Sequence, residues 1–138
     1  MPFDYTRPIR FHETDGAGVV YFANSLVLCH EAYEASLEAA GISLRDFFSP
    51  GRLAYPIAHA SIDFRRPLYC GDRIVIGLTP ERLDESSFAI AYRLHTAEAP
   101  DKLVATAQTR HVCIETQVRS RTPLPEPMLS WIEQFGQS

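Results

Sequence analysis

The 138-residue sequence has one lysine, Lys102, three widely spaced cysteines and no long apolar run. Each shortage excludes something. No stretch approaches the ~20 apolar residues of a membrane-spanning helix, so no membrane partner is expected. The opening MPFDYTRPIRF lacks the apolar centre of a secretory signal. Cys29, Cys70 and Cys113 are odd in number and form no Cys-x-x-Cys pair, which leaves no disulfide framework or zinc motif. They read as small apolar side chains in a reducing, cytoplasmic protein. The five histidines (His12, His30, His59, His95, His111) show no metal-binding spacing, so neither metal nor other cofactor is expected. Basic excess is also missing. Thirteen Lys and Arg face 17 Asp and Glu, which argues against nucleic acid as a partner.

Apolar residues are plentiful. At 46% hydrophobic, with 8 Phe, 6 Tyr and 1 Trp, the chain can build a core and is not disordered. The length predicts one domain, 1–138, with a core over about 3–122 and a short tail after the Pro123–Pro127 segment. The tail, with Trp131, is expected to pack as an amphipathic turn on the sheet edge.

Residues 5–11 read as a strand and 12–18 as a turn-rich loop. A long helix is predicted from Asn24 to Ala40, with Asn24 or Ser25 as N-cap and Gly41 as the left-handed stop. Leu26, His30, Tyr33, Leu37 and Ala40 fall on its apolar face, while Glu31, Glu34 and Glu38 mark a solvated one. Ser43 and Asp46 are spaced as a capping box for a short turn over 43–48. Strands follow at 54–64, bent near Pro56, then at 73–83, 87–96 and 103–114. The order β-α-β-β-β-β defines an α+β fold. Consecutive strands with short links favour antiparallel pairing, and one helix covers only one face. A long curved sheet around one helix satisfies both, and leaves a face or an edge for a second copy. A homodimer or homotetramer is expected.

Chemistry points to the loop before the helix, Thr14-Asp15-Gly16-Ala17-Gly18-Val19-Val20-Tyr21-Phe22. Its glycines let backbone turn tightly and approach a ligand. The helix start behind it offers N–H donors and a favourable dipole for an oxyanion. Asp15 is placed to attack a carbonyl or activate water; equally, Asp-Gly is an ordinary turn pair. His30 reads as a core histidine. His59, among small neighbours, either packs or lines a pocket. Cys29 and Cys113 read as core. Arg65-Arg66 suits a phosphate or a surface ion pair.

The segment Asp15 to Phe22 resembles the active-site loop of 4-hydroxybenzoyl-CoA-type thioesterases. Cys29–Glu34, His59–Phe64, Cys70–Arg73 and Ala107–Ile114 extend the resemblance over nearly the whole chain, from about Tyr5 to Pro125. It implies the hotdog fold, one long central helix wrapped by a five-stranded antiparallel sheet, and hydrolysis of an aromatic acyl-CoA substrate. Other acyl-CoA or acyl carrier protein thioesters, and acyl-CoA binding without turnover, are the alternatives. The resemblance implies that Asp15 is the catalytic carboxylate, nucleophile or general base. It implies that the backbone N–H near Phe22 polarises the thioester carbonyl and that Gly18 admits the acyl group. Gly18, Tyr21 and Phe22 are thus the oxyanion and substrate-binding positions, and His59 and Ser61 the wall contributed by a partner subunit. Some family members carry basic residues before the fourth strand where this chain has Asp84-Glu85-Ser86-Ser87. Arg65, Arg66 and Arg110 are then the candidates for the CoA phosphates.

Overall fold

The computed structural model describes residues 1–48 and 53–137. The chain runs β1 (Phe3–Pro8), a 3-10 turn (Phe11–Glu13), α1 (Phe22–Ala39), α2 (Leu44–Phe47), β2 (Leu53–Ala54), β3 (Ile57–Phe64), β4 (Arg73–Arg82), β5 (Ser87–Thr96), β6 (Leu103–Val112), β7 (Ile114–Glu115) and α3 (Glu126–Phe135). Five strands form one sheet in the order β1-β4-β5-β6-β3, and every neighbouring pair is antiparallel. β2 and β7 make a separate two-stranded ladder.

Period-two patterning drives the sheet. Ile74, Ile76 and Leu78 of β4 and Phe88, Ile90, Tyr92 and Leu94 of β5 are all buried on one face. Leu28, Cys29, Ala32, Tyr33, Ser36 and Leu37 of α1 are buried as well and belong to the same core face. This is the expected wrapping of a curved sheet around one long helix.

Several boundaries differ from expectation. The first strand ends at Pro8, because residues beyond it wind into the 3-10 turn. The helix starts at Phe22 with Tyr21 as N-cap and no side-chain cap. Asn24 donates instead from Nδ2 to the Glu13 carbonyl at 3.0 Å, and Ser25 is buried. The buried stripe of α1 is rotated from the predicted face: Leu26 is only half-buried and His30 is exposed. Small residues (Ser25, Cys29, Ala32, Ser36) form the inner stripe, and a period count weighted to large apolar residues passes over them. The strands predicted as 54–64 and 103–114 each break, at Tyr55–Pro56 and at Cys113. Ser43 Oγ accepts the Asp46 N–H at 3.4 Å, as the capping pattern predicts.

The C-terminal segment is no edge turn. α3 buries Met128, Trp131 and Phe135. Trp131 is fully buried; its ring centroid lies 5.4 Å from Phe88 and 5.5 Å from Tyr33. Its indole N–H donates to Ser36 Oγ at 2.9 Å. The residues after Pro123 therefore complete the core.

Candidate active site

The loop from Thr14 to Val20 is closed by its own backbone. Asp15 N–H donates to the Val19 carbonyl (2.9 Å) and Gly18 N–H to the Asp15 carbonyl (3.1 Å). It is also strapped to residues 68–70: Val20 N–H donates to Leu68 O (2.8 Å) and Cys70 N–H to Gly18 O (3.1 Å). Gly18 has φ +80°, where a side chain is strained, and a Cβ there would meet nothing within 4 Å. Conformation requires glycine at this position, and the space beside it is open. The Asp15 carboxylate is exposed, with Oδ1 accepting the Ala17 N–H at 2.8 Å. The turn role expected for Asp15 is therefore filled by one carboxylate oxygen, while the side chain stays exposed.

Behind the loop lies an open helix start. Tyr21 and Phe22 are 48% and 62% exposed, with rings 4.9 Å apart. No side chain caps α1, and no acid sits in its first turn. The Phe22 N–H has no acceptor among the described residues. The positive end of an 18-residue helix therefore lies at the exposed Tyr21–Phe22 step, where the loop that carries Asp15 ends. That pairing suits a carbonyl whose oxygen becomes negative on attack.

A buried ionic clasp braces the loop. The Glu13 carbonyl accepts both Tyr21 N–H (3.0 Å) and Asn24 Nδ2 (3.0 Å). Its carboxylate accepts Arg10 N–H at 2.8 Å and forms a close ion pair with Arg7 Nη2. Arg7 Nη1 reaches both Glu31 oxygens at 2.9 Å, and Tyr5 OH donates to Glu31 at 3.2 Å. Burial and the neighbouring Glu31 carboxylate push the Tyr5 phenol up. Sequence reasoning missed this clasp. Glu31 is engaged rather than solvated, and residues 7, 13 and 31 share no spacing that reveals them.

Other expected positions are scattered. His59 and Ser61 lie exposed on β3, an edge strand, opposite Arg110 and Gln108 of β6 on the sheet's outer face. Neither lines the two cavities described next. His30, expected in the core, stands at a cavity of about 540 Å³ lined by Tyr33, Leu37, Phe47, Tyr55 and Ile57. This larger cavity lies away from Asp15. A smaller one, about 340 Å³, adjoins the loop and is lined by Val19, Val20, Phe22, Ser25, Phe64, Arg65 and Arg66 among others. Arg65 and Arg66 make no ion pair among the described residues. Cys29 and Cys113 are buried as expected, and burial pushes the Cys29 thiol up to about 12. His111 is buried against Phe88 at 4.7 Å, held by Thr109 Oγ1 (2.9 Å) and the Tyr55 carbonyl (3.1 Å). Burial lowers its pKa to about 4. No group of three metal-ligating side chains occurs among the described residues.

A sequence profile of the thioesterase-like superfamily matches residues 9–132. A 1,4-dihydroxy-2-naphthoyl-CoA hydrolase of Rippkaea orientalis is 54% identical over 135 residues, 98% of each chain. Another of the same name, from Nostoc punctiforme, is 50% identical over 96% of this chain and 88% of its own. The crystal structure of a 1,4-dihydroxy-2-naphthoyl-CoA thioesterase from Synechocystis superposes with a TM-score of 0.90 at 44% identity, covering 96% of both chains.

Proposed function

The chain belongs to the thioesterase-like superfamily, and from that premise we propose that it hydrolyses 1,4-dihydroxy-2-naphthoyl-CoA to 1,4-dihydroxy-2-naphthoate and free CoA, a step of phylloquinone (vitamin K1) formation. Its fold is the hotdog fold, and it is a thioester hydrolase. The observation that carries the substrate is near-full-length identity to hydrolases of that name, joined to an exposed Asp15 beside an uncapped helix start.

The thioester carbonyl oxygen accepts the Phe22 N–H at the positive end of α1. Asp15, one oxygen held by Ala17 N–H, presents the other to the acyl carbon or to a water beside it. Attack drives the carbonyl electrons onto oxygen, where the helix start stabilises them. Collapse breaks the C–S bond and CoA leaves as thiolate. Water supplies the new acyl oxygen, directly or by opening an Asp15 anhydride. Gly18 leaves room for the acyl group, and Tyr21 and Phe22 flank it.

The working unit is a homo-oligomer. Among the described residues β3 pairs only with β6, and its free edge exposes Ile57 and Phe64, a template for a second strand. Two copies joined there in antiparallel sense set the Ile57 end of one β3 against the Phe64 end of the other. Ile57 borders the aromatic cavity and Phe64 the loop cavity. The aromatic chamber of one copy then faces the Asp15 loop of its partner. Tyr33, Phe47 and Tyr55 suit a flat bicyclic ring, and His59 and Ser61 fall near the seam. Three free cysteines support a reducing, cytoplasmic setting. No described helix is long and apolar enough to cross a membrane.

Thiol release from 1,4-dihydroxy-2-naphthoyl-CoA, benzoyl-CoA and a long-chain acyl-CoA tests the reaction. Turnover is expected on the naphthoyl ester and lost at least ~10²-fold in Asp15→Asn. Preference for another ester would replace the substrate and keep the site. Binding without turnover on any ester would leave an acyl-CoA-binding protein. Light scattering that finds only monomer at micromolar concentration would remove the shared site.

A further inference from the structure

The cavity beside the loop carries an unneutralised charge. Arg65 and Arg66 follow β3 directly and are exposed. They are the only cations lining that cavity among the described residues, and no acid lines it with them. Neither makes an ion pair among the described residues. The rest of its lining is mostly apolar: Val19, Val20, Phe22, Phe64. Two adjacent guanidinium groups repel one another, and no acid among the described residues pairs with them. The sharp turn that presents them is fixed by backbone, since both N–H groups donate to the Val104 carbonyl, at 2.9 and 3.1 Å. By contrast, Arg7 is consumed by Glu13 and Glu31, and the β4–β5 turn offers an anion only Asp84 and Glu85.

The geometry points to Arg65 and Arg66 as the phosphate clamp for CoA. The pantetheine arm lies along the apolar cavity, and the two planar forks take phosphoryl oxygens at its rim. This rests on the proposed reaction, because the thioester at Phe22 fixes where the arm begins.

The test compares the 1,4-dihydroxy-2-naphthoyl esters of CoA, dephospho-CoA and pantetheine, the last without any phosphate. The enzymes are wild type, the double variant R65Q/R66Q, and R93Q as a control arginine on the exposed outer face of β5. The double variant should lose about tenfold or more in kcat/KM with the CoA ester, through KM, and stay within about twofold with the pantetheine ester. R93Q should show no such split. A loss that persists with dephospho-CoA assigns the pyrophosphate; one that vanishes assigns the 3′-phosphate; both support the clamp. Equal losses on all esters, no loss with the CoA ester, or the same split in R93Q would overturn it. If wild type hydrolyses none of the esters, the proposed reaction fails alone. Calorimetry of free CoA against free pantetheine with R65Q/R66Q then decides the arginines, a loss confined to CoA supporting them and any other pattern overturning them.

Discussion

The two ends of α1 treat polarity in opposite ways. At its start, Asp15 and the Phe22 N–H stand open to solvent beside a glycine turn. Toward its end, Tyr33 packs in an aromatic cluster with Phe88, His111 and Trp131, where polar atoms are enclosed. His111 has a partner at each ring nitrogen and Trp131 donates to Ser36. A polar group whose bonds are already made inside the chain holds structure. One left unmade at an exposed helix start is available for chemistry. The contrast separates residues that look alike in sequence: among five histidines and 17 acids, His111 and Glu13 are buried and bonded while Asp15 is exposed on the glycine loop.

Breaking the enclosed end should cost most. Trp131→Ala removes a fully buried ring and should destabilise by about 3–5 kcal/mol in chemical denaturation. Arg7→Leu comes next, because it leaves the Glu13 carboxylate buried without its cation. A loss of about 3 kcal/mol is expected, together with a fall in kcat as the loop loses its brace. Third is an acid limb of stability. The pKa of His111 is lowered to about 4 in the fold, from 6.5. Between those values the unfolded chain binds the proton and the fold does not. Stability is therefore full above about pH 6.5 and falls by on the order of 2–3 kcal/mol toward pH 4. Urea midpoints across that range should drop in wild type and flatten in His111→Gln. Tyr33→Phe has the opposite sign. The Tyr33 hydroxyl is buried without a partner among the described residues, so its removal should be neutral or stabilise by up to about 1 kcal/mol. Smallest of all is Asp15→Asn, within about 0.5 kcal/mol in melting experiments because the side chain is exposed. The same variant should show the large loss of turnover given above. A stability loss comparable to Trp131→Ala would erase the distinction between the two ends.

Much of this was legible. Period-two strands declared themselves at Ile74–Leu78 and Phe88–Leu94, and the loop declared itself by Asp15, Gly16 and Gly18. What was hidden depends on contacts between distant residues. The clasp of Arg7, Glu13 and Glu31 joins a strand, a turn and a helix that no local pattern relates. Tyr33 and Leu37 were placed correctly on the inner face of α1, and the rest of it was missed because Ser25, Ala32 and Ser36 carry little apolar weight yet permit close packing. Trp131 looked peripheral because Pro123 and Pro125 punctuate the chain before it, though α3 folds back onto the core. The wall proposed at His59 and Ser61 calls for a second copy because both stand exposed on the edge strand β3.

The strapping of the Thr14–Val20 loop to Leu68 and Cys70 has an entropic meaning. Most surface loops must surrender backbone freedom when a ligand arrives, at roughly 1–2 kcal/mol per residue. Here four backbone hydrogen bonds already restrict that freedom without substrate. Binding energy gathered by the ring and the CoA arm is then left to act on the reacting carbon rather than on ordering the loop. The loop amides of Asp15, Gly18 and Val20 should exchange with solvent deuterium slowly, and at rates little changed by saturating CoA.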